Sequence, residues 1–206
     1  MQTIQNSKEQ TKSTSKDWRK FLPFAKKKIE DAGLDNMLKV FPAMIAKELT
    51  ETVEDNKGFC VMGGVGCGKS KRMLLFSRLF NIKIITAKEI CNYALASSNP
   101  FLVNEIVNAV IDKTGLYQKR MYDLVLDDLG DEEENAMIYG NRKDIIRDAI
   151  DIRYNLFDYG GGHRTHFTTN LTLAQLEERY GDRTFSRLNK MVHFIEMEGK
   201  DRRKSK

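Results

Sequence analysis

The sequence predicts an α/β fold, and three features of it do so. Gly63-Gly64-Val65-Gly66-Cys67-Gly68-Lys69-Ser70 fits G-x-x-x-x-G-K-[ST], the phosphate-binding P-loop, and lies between the apolar run Phe59-Cys60-Val61-Met62 and a helical pattern over residues 71–80. Further short runs suited to strands follow at 82–86, 122–126, 165–169 and 192–197, with helical patterns between them. The run at 122–126 leads directly into Asp127-Asp128, so a strand ends in paired acids.

The first 16 residues are rich in Ser, Thr, Gln and Lys, with too little apolar surface to offset the entropy of ordering, and read as disordered. From Asp17 the pattern changes. Trp18, Phe21 and Leu22, then Ile29, Leu34, Met37, Leu38 and Phe41, describe one or two short amphipathic helices broken at Pro23 and Gly33. Their apolar face must pack on the main domain or on another protein. Pro42 opens a helix over 43–53 with the stripe Met44, Ile45, Leu49 and Val53, and Asp55 to Gly58 ends it. We therefore divide the chain into a basic N-terminal segment, 1–41, and a nucleotide-binding domain, 42–206.

The P-loop residues have a specific physical use. Gly63, Gly64, Gly66 and Gly68 let the backbone approach a triphosphate closely, so that its N–H groups form an anion nest. Val65 and Cys67 complete the loop. The helix opening near Lys69 adds its positive dipole end, Lys69 a charge for the β- and γ-phosphates, and Ser70 a hydroxyl for Mg²⁺.

Downstream, residues 82–86 read as a strand, 88–96 and 101–111 as helices broken at Ser97 to Pro100, and a basic stretch holds Lys113, Lys119 and Arg120. Opposite a P-loop lysine, Asp127 suits the metal and Asp128 the base that polarises the attacking water. Asp131 to Glu134 reads as a solvated acidic loop. Residues 142–159 read as a helix with Ile145, Ile146, Ala149, Ile150 and either Ile152 or Arg153 near its buried side. The strand 165–169 ends in Asn170, which suits either orienting the water and touching the γ-phosphate or capping the next helix. Two short helices, 174–180 and 183–189, follow, with Arg183 and Arg187 one turn apart on one face.

Composition bounds the function. At 206 residues with 41% hydrophobic and 31% charged residues, the chain allows one main domain plus an appendage and has no run approaching the roughly 20 apolar residues of a membrane span. Its polar N-terminus lacks the apolar core of an export signal, so a cytoplasmic location is expected. Cys60, Cys67 and Cys91 have no metal-ligand or disulfide spacing, and His163, His166 and His193 are scattered among strand residues, so both sets read as structural. Both ends of the chain are basic around a mildly acidic body, which suits a polyanion or an acidic partner as well as solvated termini.

With the P-loop, Asp127-Asp128, Asn170 and then Tyr180-Gly181-Asp182-Arg183-Thr184-Phe185-Ser186-Arg187-Leu188 in that order, the chain resembles a DnaC/IstB-type AAA+ ATPase over about residues 43–203. The resemblance implies a three-layer α/β/α sandwich of the P-loop NTPase type, with five parallel strands in order 5-1-4-3-2 and nucleotide at their carboxyl ends. It implies ATP and Mg²⁺ as ligands. It implies a homo-oligomer in which Arg187, with Arg183 the second candidate, enters the neighbouring subunit's site. The helices before the third strand fall where relatives contact single-stranded DNA, which implies Lys113, Lys119 and Arg120 as DNA-binding residues. The chain departs from relatives in carrying Asp128 where many have Glu, and it stops soon after the last strand with no helical lid. The expected activity is ATP hydrolysis that loads a replicative helicase onto single-stranded DNA. A transposition regulator bound to DNA and a transposase is the second expectation, and a small-molecule kinase lacks its Arg-rich lid.

Overall fold

The computed structural model describes residues 23, 26–27, 30, 57–80, 82–97, 123–133, 136–138, 141–158 and 163–198. The readings for residues 1–22, 31–56, 98–122 and 199–206, including Lys113, Lys119 and Arg120, lie outside the described residues.

Strand β1 (Gly58–Met62) is an apolar run buried along most of its length. Such a run suits a central strand covered on both faces. It is followed by the P-loop and by helix α1 (Lys69–Phe80), whose buried residues Lys69, Arg72, Met73, Phe76 and Ser77 repeat at helical spacing. Strand β2 (Lys83–Thr86) passes straight into helix α2 (Ala87–Ser97). The turn is fixed by a capping box: Thr86 N–H and Oγ1 donate to Glu89 Oε2, and Glu89 N–H donates to Thr86 Oγ1.

Strand β3 (Leu124–Leu129) is longer than the sequence pattern predicts and contains Asp127 and Asp128 within it. Strands β4 (Ala136–Ile138) and β5 (Asn141–Lys143) form a separate antiparallel pair. Helix α3 (Ile145–Asp158) therefore begins three residues later than expected, because Asp144 caps it by accepting from Arg147 N–H at 3.1 Å. Strand β6 (Thr165–Thr169) agrees with the sequence reading and is buried throughout. Helix α4 (Leu173–Met191) comprises the two helical stretches expected, joined directly across a kink at Gly181, whose backbone is non-helical at φ 78° and ψ 159°. Thr172 and Gln175 cap α4 reciprocally, so the capping alternative for Asn170 is overturned. Strand β7 (Val192–Glu196) closes the described fold.

All five strands of the main sheet are parallel, in the order β2-β3-β6-β1-β7. Numbered among themselves they read 5-1-4-3-2 from the other edge, as expected. Alternation along the strands supplies two buried faces. On one, Phe59 and His166 meet Phe76 of α1. On the other, Cys60, Leu124, Leu126 and Phe167 join a core with Ile90, Ile146, Ile150, Leu176 and Leu188 from α2, α3 and α4. The result is the three-layer α/β/α arrangement of a P-loop NTPase. Among the described residues no helix is long and apolar enough to cross a membrane.

The histidines and cysteines play the structural part expected in the places described. His166 is fully buried, its Nδ1 accepting from Phe59 N–H at 3.2 Å. Burial, reinforced by Arg164 and Arg153, lowers its pKa to about 3 and keeps the ring neutral. Cys60, Cys67 and Cys91 are free and buried, and burial pushes the Cys91 thiol up to about 12.

Candidate functional site

A parallel sheet presents its strand ends together, and the loops leaving β1, β3 and β6 at their carboxyl ends bring the P-loop, Asp127-Asp128 and Asn170 to one edge. These three strands are neighbours in the sheet. Residues separated by 101 positions in sequence thereby touch: Lys69 Nζ donates to Asn170 Oδ1 at 2.6 Å.

The P-loop conformation depends on its glycines at defined points. Gly63 has φ 152°, and a Cβ there would stand 2.4 Å from the carbonyl oxygen of Met197. Gly66 and Gly68 also take positive φ, at 79° and 94°. A Cβ built at Gly64 or Gly68 would meet nothing within 4 Å, so the loop faces open space. Val65 at its tip is 58% exposed, while Cys67 turns inward. Lys69 is buried with its ammonium folded onto the loop, donating to Gly63 O at 2.7 Å and Gly64 O at 3.0 Å as well as to Asn170.

Asp127 is buried, and its Oδ1 accepts a 2.5 Å bond from Thr168 Oγ1. Burial raises its carboxyl pKa and neighbouring Asp128 adds to this, against the bonds from Thr168 and Ser70. Ser70 reaches Asp128 Oδ1 at 3.4 Å, and its influence lowers the Asp127 pKa. A hydroxyl and two carboxylates grouped this way form a hard-oxygen set that fits Mg²⁺, which takes one or two ligands from protein and the rest from phosphate and water.

Asp128 sits in the left-handed region at φ 55°, where the β3–β6 pairing slips between Leu126 and Leu129. Its N–H donates to Thr168 Oγ1 at 2.9 Å, outside the regular ladder. Beyond it, Gly130 takes φ 92° because a Cβ there would strike Leu171 at 2.6 Å.

The acidic run after Gly130 is not uniformly solvated, which corrects the sequence reading. Asp131 and Glu133 are exposed, but Glu132 turns inward. It accepts from Gly130 N–H at 2.8 Å, Tyr180 Oη at 2.7 Å and Arg179 at 2.9 Å, and Arg179 bridges on to Asp144 at 3.0 Å. Burial, then the Glu132 charge, raises the Tyr180 pKa and keeps its proton in place. This cluster ties the loop leaving Asp128 to α4.

Arg187 is engaged within its own chain. It forms an ion pair with Asp151 and lies 5.1 Å from the centroid of the Tyr154 ring, so its partners are on α3 rather than around the P-loop. Arg183, the second candidate, is exposed. Thr168, Glu132, Arg179 and Tyr180 were missed by sequence reasoning. None of the four carried a local signal, since the partners of each lie far away in sequence.

No family model matches the chain, and no curated protein matches it. A solved structure described as "Crystal Structure of the DnaI" is similar over 90% of this chain and 88% of that chain, at 20% identity and a TM-score of 0.44. At that distance the likeness says nothing of activity.

Proposed function

We propose that this chain is a Mg²⁺-dependent ATPase that loads a replicative helicase onto single-stranded DNA, with an active site completed by a second copy. The observation that carries the ATPase reading is the meeting of Lys69, Ser70, Asp127, Asp128 and Asn170 at one sheet edge, with Lys69 and Asn170 in direct contact. The loader reading rests on the resemblance of the ordered motifs to DnaC/IstB-type ATPases.

In this reading the loop N–H groups from Gly63 to Ser70 bind the phosphates, and Lys69 exchanges its loop carbonyls for β- and γ-phosphate oxygens. Ser70 and Asp127 would hold Mg²⁺, which supplies neutralising charge at the β- and γ-phosphates when bound. Asp128 takes the proton of the attacking water. Asn170, freed from Lys69, hydrogen-bonds the water or the γ-phosphate. Arg187 leaves Asp151 and Tyr154 on assembly and enters the neighbouring copy's site, where an arginine of this kind contributes about 10³ to 10⁵ in rate. Residues 1–41 serve as the helicase-binding element, and Lys113, Lys119 and Arg120 contact DNA phosphates. The protein acts in the cytoplasm.

The test is complementation between two dead variants. Lys69→Ala and Arg187→Ala should each lose ATP hydrolysis alone and recover about a quarter of wild-type activity when mixed in equal amounts, as expected if sites are shared between copies. No recovery would remove Arg187 from the site. Hydrolysis stimulated by single-stranded DNA, with complex formation on the hexameric helicase, supports loading. A complex with a transposase in place of the helicase would move the reading to a transposition regulator.

A further inference from the structure

We infer that Thr168 is the positioning residue for both acids of the site, its single hydroxyl setting Asp127 and Asp128 relative to each other. The inference rests on the ATPase reading and assigns a part to a residue outside the P-loop and the paired acids.

The bond directions follow from donor inventory. A backbone N–H can only donate, so Thr168 Oγ1 accepts from Asp128 N–H at 2.9 Å. The only hydroxyl proton is then available to Asp127 Oδ1, 2.5 Å away, and that carboxylate oxygen must accept it. One oxygen of Asp127 is thereby committed to β6, and this bond leaves the other uncommitted. The same hydroxyl holds the peptide of Asp128 in its turned position.

The need for such a device lies in the sheet. Where β3 slips against β6 between Leu126 and Leu129, the Asp128 N–H leaves the regular ladder, and Thr168 supplies a partner for this partly buried donor. Asp128 also stands at φ 55°, a backbone state that a residue with a Cβ keeps only when its surroundings over-determine it. Thr168 is fully buried, which fixes its rotamer. Its neighbour Thr169 secures the far side of the slip by donating to Leu129 O at 2.7 Å and accepting from Leu171 N–H at 3.0 Å. Adjacent threonines thus hold the segment on both sides of Asp128, and of the two only Thr168 touches a carboxylate, that of Asp127.

The test compares Thr168→Val, which keeps the shape and removes the hydroxyl, with Thr168→Ser, which keeps the hydroxyl and removes the methyl. A fluorescent ATP analogue measures affinity in EDTA and in Mg²⁺, and steady-state hydrolysis measures kcat and KM. For Thr168→Val, affinity in EDTA should stay within about twofold, the affinity gained on adding Mg²⁺ should fall about tenfold, and kcat should fall on the order of 100-fold with KM changed less than about threefold. Thr168→Ser should restore each value to within about threefold of wild type. An unchanged Mg²⁺ gain in Thr168→Val would overturn the inference. So would a Thr168→Ser protein as defective as Thr168→Val, because packing by the methyl would then be the cause. If Thr168→Val does not fold, the Mg²⁺ gain of Thr168→Ser decides: retained, it supports the role, and lost, it removes it. Failure of the wild type to hydrolyse ATP would refute the ATPase reading alone, since the Mg²⁺-dependent affinity still reports on Thr168.

Discussion

Strands β3 and β6 carry polar side chains at both ends, and the two ends settle their charges in opposite ways. At the amino end, Asp123 receives the Arg164 guanidinium through Nε at 3.1 Å and Nη2 at 2.9 Å, and the Arg164 N–H at 2.8 Å. Beside it the fully buried Arg153 donates to Thr165 Oγ1 at 2.7 Å and Arg164 O at 2.8 Å. At the carboxyl end, Asp127 and Asp128 meet the neutral hydroxyls of Thr168 and Ser70, and Lys69 meets neutral carbonyls and an amide. A guanidinium fork matched to a carboxylate spends its charge on the fold. Acids held by hydroxyls and a lysine held by carbonyls leave their charges available, as the proposed binding of nucleotide and Mg²⁺ requires.

Substitutions at the two ends should therefore separate turnover from stability. The largest effect is expected at Asp128→Asn, which preserves a residue type tolerant of positive φ. Its ATP turnover should fall by about 10² to 10⁴ with nucleotide affinity held within about threefold, measured by steady-state hydrolysis and equilibrium binding. A loss of affinity with normal turnover would break the distinction.

Next comes Arg153→Met at the other end. It strips a buried cation from Thr165 and Arg164 while filling much of the same volume, and should cost about 2 to 4 kcal/mol in urea unfolding with kcat unchanged. An equal loss of kcat would mean that the two ends are coupled.

The smallest effect concerns His166, between the ends. The unfolded chain binds a proton near pH 6.5, whereas burial delays this to about pH 3 in the folded state. The unfolded form therefore holds more protons between those values, and stability is complete above the upper one and falls on acidification through the window. Between about pH 7 and pH 5 the loss should be roughly 2 kcal/mol, and His166→Gln should reduce that slope whatever its stability at neutral pH. Identical slopes in urea melts at both pH values would assign the loss to other groups.

How much of this could be read from residues alone depended on whether the partner was near in sequence. The P-loop was legible because Gly63 to Ser70 carries its geometry locally, β1 because the apolar run Phe59 to Met62 marks it, and β6 because its three threonines and Phe167 favour a strand. Strand order came through the family resemblance, since no local pattern encodes which strands are neighbours. Glu132 looked like its exposed neighbours because Arg179 and Tyr180 lie 47 and 48 positions away. Thr168 was obscure for the same reason, its two contacts lying 40 and 41 positions back on another strand. The start of α3 was misplaced although Asp144 offered a cap, because Arg142 and Lys143 are good helix formers whose place in β5 depends on pairing with β4. In α4 the break at Gly181 was legible from the glycine itself, since φ 78° with ψ 159° is a backbone state that glycine adopts readily and other residues do not.

The contact between Gly63 and Met197 makes a mechanical coupling. The Met197 N–H is bonded to Met62 O at 2.7 Å, and the Met197 carbonyl occupies the space a side chain at position 63 would fill. The exit of β7 is thus clamped to the entrance of the phosphate loop with no slack between them. A displacement of the backbone at Met197 is therefore felt at Met62 through that bond, one residue before the loop begins.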